Sequence, residues 1–310
     1  MITHADIDQA ARRTAGLIRR TPVMQADPGV FNGPVWFKCE FMQHTGTFKA
    51  RGAVNRILAS KERGELRTDV GIVVASGGNA GLANAYAAKQ LGVPATVFVP
   101  EAAPAVKVAK LRAIGATVVQ GGAEYAAAYQ AAVAHAEDTG AIYCHAYDQP
   151  EIAAGAGTVG SELLEQLPDV DTVLVATGGG GLMAGVAAAV EGSAKVVAVE
   201  PECAPTLHAA LAAGEPVDVA VSGVAADSLG ARRVGDIGFS VAVRCGVVSV
   251  LVTDADIIKA RSALWNDYRI VVEHGAAAAY AALLSGAYVP AEDERVAVIL
   301  CGANTDPATL

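Results

Sequence analysis

At 310 residues the chain is long enough for one large α/β domain or two coupled lobes, and too short for three ordinary domains. Hydrophobic residues make up 53% and charged residues 18%, so apolar surface suffices to offset the ordering entropy and disorder is excluded. With 23 Lys and Arg against 32 Asp and Glu, the net charge of −9 leaves no basic footprint for a nucleic-acid backbone. Backbone amides can still bind small anions.

The first predicted element is a helix over Ile7–Ile18, with Arg12, Arg13, Arg19 and Arg20 read as its solvated face. Short β-branched runs then alternate with Ala-rich stretches of helix length. Val70–Ala75 precedes Asn79–Leu91, Ala95–Val99 precedes Ala105–Ile114, and Thr117–Val119 precedes Glu124–Glu137. Further on, Thr172–Ala176 leads into Leu182–Val190, Lys195–Val199 into a turn at Glu200–Pro205, and Val296–Leu300 closes the series. Continuous apolar strands separated by helices predict parallel-rich twisted sheets flanked by helices on both faces. The compact βα units of residues 52–145 read as a smaller inserted lobe, with 1–51 and 146–310 forming the larger one.

Two long apolar stretches bear on membrane insertion. The uncharged run Thr172–Val190 approaches a spanning length, but Gly178–Gly181 interrupt it, and it reads as strand, loop and helix. Gly275–Val289 is shorter, ends at Pro290, and reads as a buried helix. The N-terminus carries Asp6 and Asp8 with no apolar core of a signal peptide. The five cysteines show no CxxC pairing, which predicts a reduced, cytoplasmic protein with Cys39 and Cys144 as small buried hydrophobes.

Three unusual loops fall where strands end: Ser76–Gly81, Thr177–Gly181 and Cys301–Asp306. In such sheets ligands bind at the carboxyl ends of strands, so one site assembled from distant segments is expected. Four glycines opening a helix let several N–H groups converge on a phosphate, beyond what tight strand–helix packing requires. Ser76–Gly81 fits either an anion-binding turn with Asn79 as amide donor or a simple cap and turn. Lys49 lies in a segment poor in acids. A lysine that attacks a carbonyl needs such a setting to free its amine, and an ordinary surface lysine beside Arg51 fits the spacing equally well.

Together these segments resemble a known family. TGTFKARGA, ASGGNAG, TGGGG and LCGANTD, in that order and spacing, are similar to the pyridoxal-phosphate enzymes of the serine/threonine dehydratase group, whose two-lobed fold is shared with the tryptophan synthase β subunit. The resemblance runs from Ile18 to Asp306. It implies that Lys49 is the lysine that reacts with the cofactor aldehyde and that Phe48 lies against the pyridine ring. It implies that Gly178, Gly179, Gly180 and Gly181 cradle the phosphate, that Asn79 hydrogen-bonds the phenolic oxygen, and that Cys301 faces the ring nitrogen. Ser76, Gly77, Asn79 and Ala80 would hold the substrate. Glu273 falls in a stretch near the ring, next to His274, and the loop carrying Arg232 and Arg233 would approach it.

The implied activity is an ammonia-lyase (dehydratase) acting on a β-hydroxy amino acid. L-Threonine or L-serine comes first, then 3-hydroxyaspartate or phenylserine; β-replacement of the cysteine-synthase type and racemisation are alternatives on the same fold. Racemases of the group place a serine base where Gly77 stands here. Glu200 and Ala204 match two ligands of a divalent-metal site that some members carry, but Thr206 replaces the third, so no metal is assigned. The family implies a homodimer whose small lobe gates the substrate. Two outside readings, a non-catalytic sensor and a dinucleotide-binding oxidoreductase, are opposed by Lys49 and by the lack of a GxGxxG turn with its acidic partner.

Overall fold

The strands form where β-branched runs can be buried on both faces. In the computed structural model, which describes residues 1–309, these are β1 (Val23–Gln25), β2 (Val35–Lys38), β3 (Ile72–Ala75), β4 (Ala95–Val99), β5 (Thr117–Gln120), β6 (Ile142–Tyr143), β7 (Thr172–Ala176), β8 (Lys195–Pro201), β9 (Val248–Val252) and β10 (Val296–Ile299). They build a six-stranded sheet in the order β1-β2-β10-β7-β8-β9 and a four-stranded sheet in the order β5-β4-β3-β6. Every pairing is parallel except that of β1 with β2. Every residue of β3, β7 and β10 is buried, as covered parallel strands require.

The helices are α1 (His4–Thr14), α2 (Lys49–Glu62), α3 (Asn79–Gln90), α4 (Ala105–Ile114), α5 (Tyr125–Thr139), α6 (Pro150–Gln166), α7 (Gly181–Ala189), α8 (Thr206–Ala213), α9 (Ala226–Leu229), α10 (Asp236–Cys245), α11 (Asp254–Tyr268) and α12 (His274–Ser285). Among the described residues, no helix is long and apolar enough to cross a membrane. The two apolar stretches resolve as β7–loop–α7 and as the buried α12.

One core fills the space around the six-stranded sheet, while Val54, Ile57, Ile72, Val97 and Leu111 belong to a second core on the four-stranded one. Helices α2 and α6 approach each other through glycines. A Cβ on Gly52 would sit 2.6 Å from the Ile152 carbonyl oxygen, and one on Gly155 would lie 2.7 Å from that of Arg51. Close approach fixes the start of α2, and with it Lys49, against the large sheet.

Several expectations are corrected. Helix α1 occupies His4–Thr14 rather than Ile7–Ile18, because Thr3 and Asp6 form a capping box and the chain turns at Gly16. Arg13 is not on a solvated face, since it lies largely buried and donates to Asn55 and Glu62. The first small-sheet strand begins at Ile72, two residues later than expected, because Gly71 adopts a positive φ of 78°.

Candidate active site

The carboxyl ends of β7 and β10 lie side by side in the large sheet, so Thr177–Gly181 and Cys301–Asn304 emerge next to one another. The segment before Lys49 is pinned to the second of these loops. Thr47 bridges Gly302, the Phe48 N–H donates to the Cys301 carbonyl at 3.1 Å, and the Ala303 N–H donates to that of Gly46 at 2.9 Å. Lys49 opens α2 at this point, and its Nζ donates to the Ala146 carbonyl at 2.7 Å. Its ammonium also lies 5.1 Å from the centre of the Phe48 ring.

Burial lowers the Lys49 pKa to about 8, against smaller opposing effects from Cys301 and Glu273. A buried amine near neutral pH is what carbonyl chemistry needs, because only the unprotonated form attacks. The rate at which the apoprotein takes up pyridoxal phosphate should therefore climb with pH and level off above about 8. Stopped-flow absorbance across pH 6–11 measures this, and a rate still rising past pH 10 would indicate an unperturbed lysine.

The glycine loop is built for an anion. Gly180 has φ of 86°, and a Cβ on Gly179 would enter the Tyr147 ring at 2.4 Å. Gly178 and Gly181 are likewise closed to a side chain by the backbones of Leu229 and Tyr147. The loop is held from outside, with the Gly179 carbonyl accepting from the Gly235 N–H and the Gly178 carbonyl accepting from Thr206 Oγ1 at 2.5 Å. Among the described residues, no protein oxygen accepts from the N–H groups of Gly179, Gly180 and Gly181. Free donors at a helix start, where the dipole adds positive potential, fit a phosphate.

In the small lobe, Ser76–Gly78 leave β3 and Asn79 opens α3. The Asn79 amide donates to Glu273 Oε1 at 2.8 Å, and its oxygen accepts from the Asn304 side chain at 2.9 Å. Burial raises Glu273 to about 7, with the Asn79 hydrogen bond opposing it. Cys301 is buried, and burial drives its thiol far above the ordinary range, so it stays protonated.

The predicted site residues thus converge: Phe48, next to Lys49, is bonded to Cys301 through the backbone, and Asn79 is tied to the same loop through Glu273 and Asn304. Ala146 and Tyr147 link Lys49 to Gly178–Gly181, Ser76 and Gly77 lie on the loop after β3, and Ala80 lies in the first turn of α3. Arg232 and Arg233 do not join it; they are exposed, Arg233 pairs with Asp218, and only its carbonyl approaches, accepting from the Tyr147 hydroxyl. Glu200 serves a structural purpose. Its carboxylate accepts from the Leu207 and His208 N–H groups and from Ser249 and Thr206, which holds the start of α8. The Ala204 carbonyl accepts from the Thr206 N–H.

Sequence reasoning missed the strap from Tyr143 to Gln149. His145 Nδ1 accepts from the N–H groups of Tyr147 and Asp148, Gln149 clasps both His145 and Tyr143, and Asp148 caps α10. This strap delivers the Ala146 carbonyl to Lys49. It carries no glycine-rich signature, and only its position after a short strand hinted at it.

A two-lobed α/β fold with a buried lysine and a phosphate-shaped glycine loop at adjoining strand ends defines a cofactor-dependent enzyme of carbonyl chemistry. Residues 14–302 match the family model described as pyridoxal-phosphate dependent enzyme, and the chain belongs to that family. It is 37% identical to an L-threonine ammonia-lyase of Geobacter sulfurreducens over 100% of this chain and 77% of that protein. It is 35% identical to one of Thermotoga maritima over 99% of this chain and 76% of that protein. Among solved structures, maize serine racemase superposes with a TM-score of 0.92 at 32% identity, covering 99% of this chain and 95% of that one.

Proposed function

We propose that the protein is an ammonia-lyase that converts a β-hydroxy amino acid, L-threonine or L-serine, to a 2-oxo acid and ammonia. The observation that carries this is the desolvated Lys49 amine, bonded to the Ala146 carbonyl, with the backbone of the preceding Phe48 bonded to Cys301 and Tyr147 packed on the Gly178–Gly181 cradle. Similarity over essentially the whole chain to two threonine ammonia-lyases supports the substrate class.

Bound pyridoxal phosphate supplies an electron sink for the electron pair left when the α-proton departs. The chain's own residues do the rest. The N–H groups of Gly178–Gly181 hold the phosphate, Asn79 the phenolic oxygen, and Phe48 one ring face. Cys301, neutral because it is buried, would stand at the ring nitrogen and would not keep it protonated as a carboxylate would. The backbone of Ser76, Gly77 and Ala80 binds the substrate carboxylate. With the cofactor and substrate bound, Lys49 would take the α-proton as general base, helped by its lowered pKa. The Cβ–O bond would then break with its electron pair leaving on oxygen, which takes up a proton and departs as water, and addition of a water would release the 2-oxo acid and ammonia.

In this reading residues 52–145 gate the substrate, opening and closing Ser76–Ala80 over the site. Gly77 supplies no second base, so conversion of L-serine to D-serine should be slight beside elimination. The acidic charge and five free cysteines support a cytoplasmic location, and the family resemblance supports a homodimer.

The test is to load the purified protein with pyridoxal phosphate, add L-threonine or L-serine, and quantify 2-oxobutyrate or pyruvate with ammonia. One-to-one release is expected. A cofactor-loaded protein that releases neither product, and instead exchanges the β-substituent or inverts Cα, would overturn the reading.

A further inference from the structure

Four of the chain's eight tyrosines belong to a row that starts beside the Ala146 carbonyl bonded to Lys49. Tyr147 follows the Ala146 carbonyl that accepts from Lys49 Nζ, and its ring covers Gly179. His145 packs edge-on against Tyr147 with ring centres 4.7 Å apart, Tyr143 lies 6.3 Å from His145, and Tyr129 stands edge-on to Tyr143 at 5.9 Å. Tyr125 is one turn before Tyr129 on α5.

Ordinary core packing explains only part of this row. Helix α5 lies on the four-stranded sheet through Ala128 and Ala132, which pack on Val73, Ala75 and Phe98. Tyr125 continues that same stripe one turn towards the helix start. Since α5 starts beyond the carboxyl end of β5, Tyr125 overhangs the strand ends, at the edge from which Ser76–Ala80 emerge. Tyr125 and Tyr129 remain 53% and 37% exposed. They are large, partly exposed rings at the carboxyl-end edge of the four-stranded sheet.

We infer that Tyr125, Tyr129, Tyr143 and Tyr147 form the wall that reads the substrate's β-substituent, favouring an apolar or aryl group on Cβ over an unsubstituted hydroxymethyl. This rests on the ammonia-lyase reading and names the substrate class within it. The geometry supplies the reason. The substrate amine takes the place of Lys49 Nζ, so its Cα and Cβ start within a residue of Tyr147. Rings at successive distances then meet a side chain of growing length, and aromatic pairs add to plain area burial. Burial raises the pKa values of Tyr125, Tyr143 and Tyr147 and lowers that of His145, so these groups are uncharged at neutral pH and present no cation to a second carboxylate.

Release of 2-oxo acid from L-serine, L-threonine and L-threo-3-phenylserine tests this in the cofactor-loaded enzyme. The wild type should show kcat/KM for phenylserine about tenfold or more above that for serine, with threonine between them. In the double variant Tyr125→Ala/Tyr129→Ala that ratio should fall by about tenfold, whereas Tyr129→Phe should preserve it, because the ring and not the hydroxyl makes the contact. Retention of the visible cofactor band controls for folding, and Tyr125→Ala alone, at the half-exposed position, substitutes if the double variant loses it. A wild type that prefers serine, or a ratio unmoved by removing the rings, would overturn the wall. A loaded protein inert to all three substrates would instead overturn the ammonia-lyase reading itself.

Discussion

Lys49→Ala should lower kcat by about 10³-fold or more while leaving the fold intact. The side chain makes one hydrogen bond, to the Ala146 carbonyl, and sits at the first position of α2, where alanine is a good helix former. What the substitution removes is a base and nucleophile whose pKa burial has brought to about 8. Steady-state release of 2-oxo acid, together with a melting curve, checks both halves. A variant that turns over normally, or one that loses activity only because it unfolds, would contradict the role given to this lysine.

Arg51→Met should be the most destabilising single change, by about 3–5 kcal/mol. Arg51 is completely buried, and its guanidinium donates to both oxygens of Glu40, to Glu162 and to the Thr158 hydroxyl. Thr21 also bonds Glu40, and the buried Lys38 ammonium donates to Glu162, Gln166 and the Thr21 carbonyl. Methionine fills much of the volume but strands Glu40, a fully buried carboxylate whose remaining partner is Thr21. Arg51→Lys rescues only in part, since an ammonium cannot engage Glu40 through two parallel bonds. Equilibrium denaturation of the apoprotein gives the numbers, and a loss under about 1 kcal/mol would show that Glu40 finds other partners or takes up a proton.

The contrast between these residues shows what was legible in the sequence. β4, α4 and β7 fall at their expected bounds because alternating apolar and Ala-rich runs carry their own periodicity and end in turn residues. The three glycine- and asparagine-bearing loops were legible for the same reason: their composition makes sense only where backbone must approach a ligand or turn sharply. β2 and β9 left little trace, the first being four residues long and ending in a charged Lys38, the second a partly exposed strand without the fully buried apolar run of β7.

The ionic cluster was illegible. Lys38, Glu40, Arg51 and Glu162 are spread over 125 positions, and each resembles a surface residue taken alone. Only the meeting of β2, α2 and α6 makes them a unit. Glu273 is intermediate. The family resemblance placed it near the ring, but its pairing with Asn79 and its rise to about 7 follow from burial, which sequence does not display.

Lys49 is the residue proposed to carry the cofactor. Borohydride reduction of the pyridoxal-phosphate-loaded protein, followed by peptide mapping by mass spectrometry, tests this directly. A single phosphopyridoxyl group is expected, on the peptide containing Phe48-Lys49-Ala50. Label on Lys38, Lys107 or any other lysine in place of Lys49, or no label in a protein that has turned yellow, would contradict it.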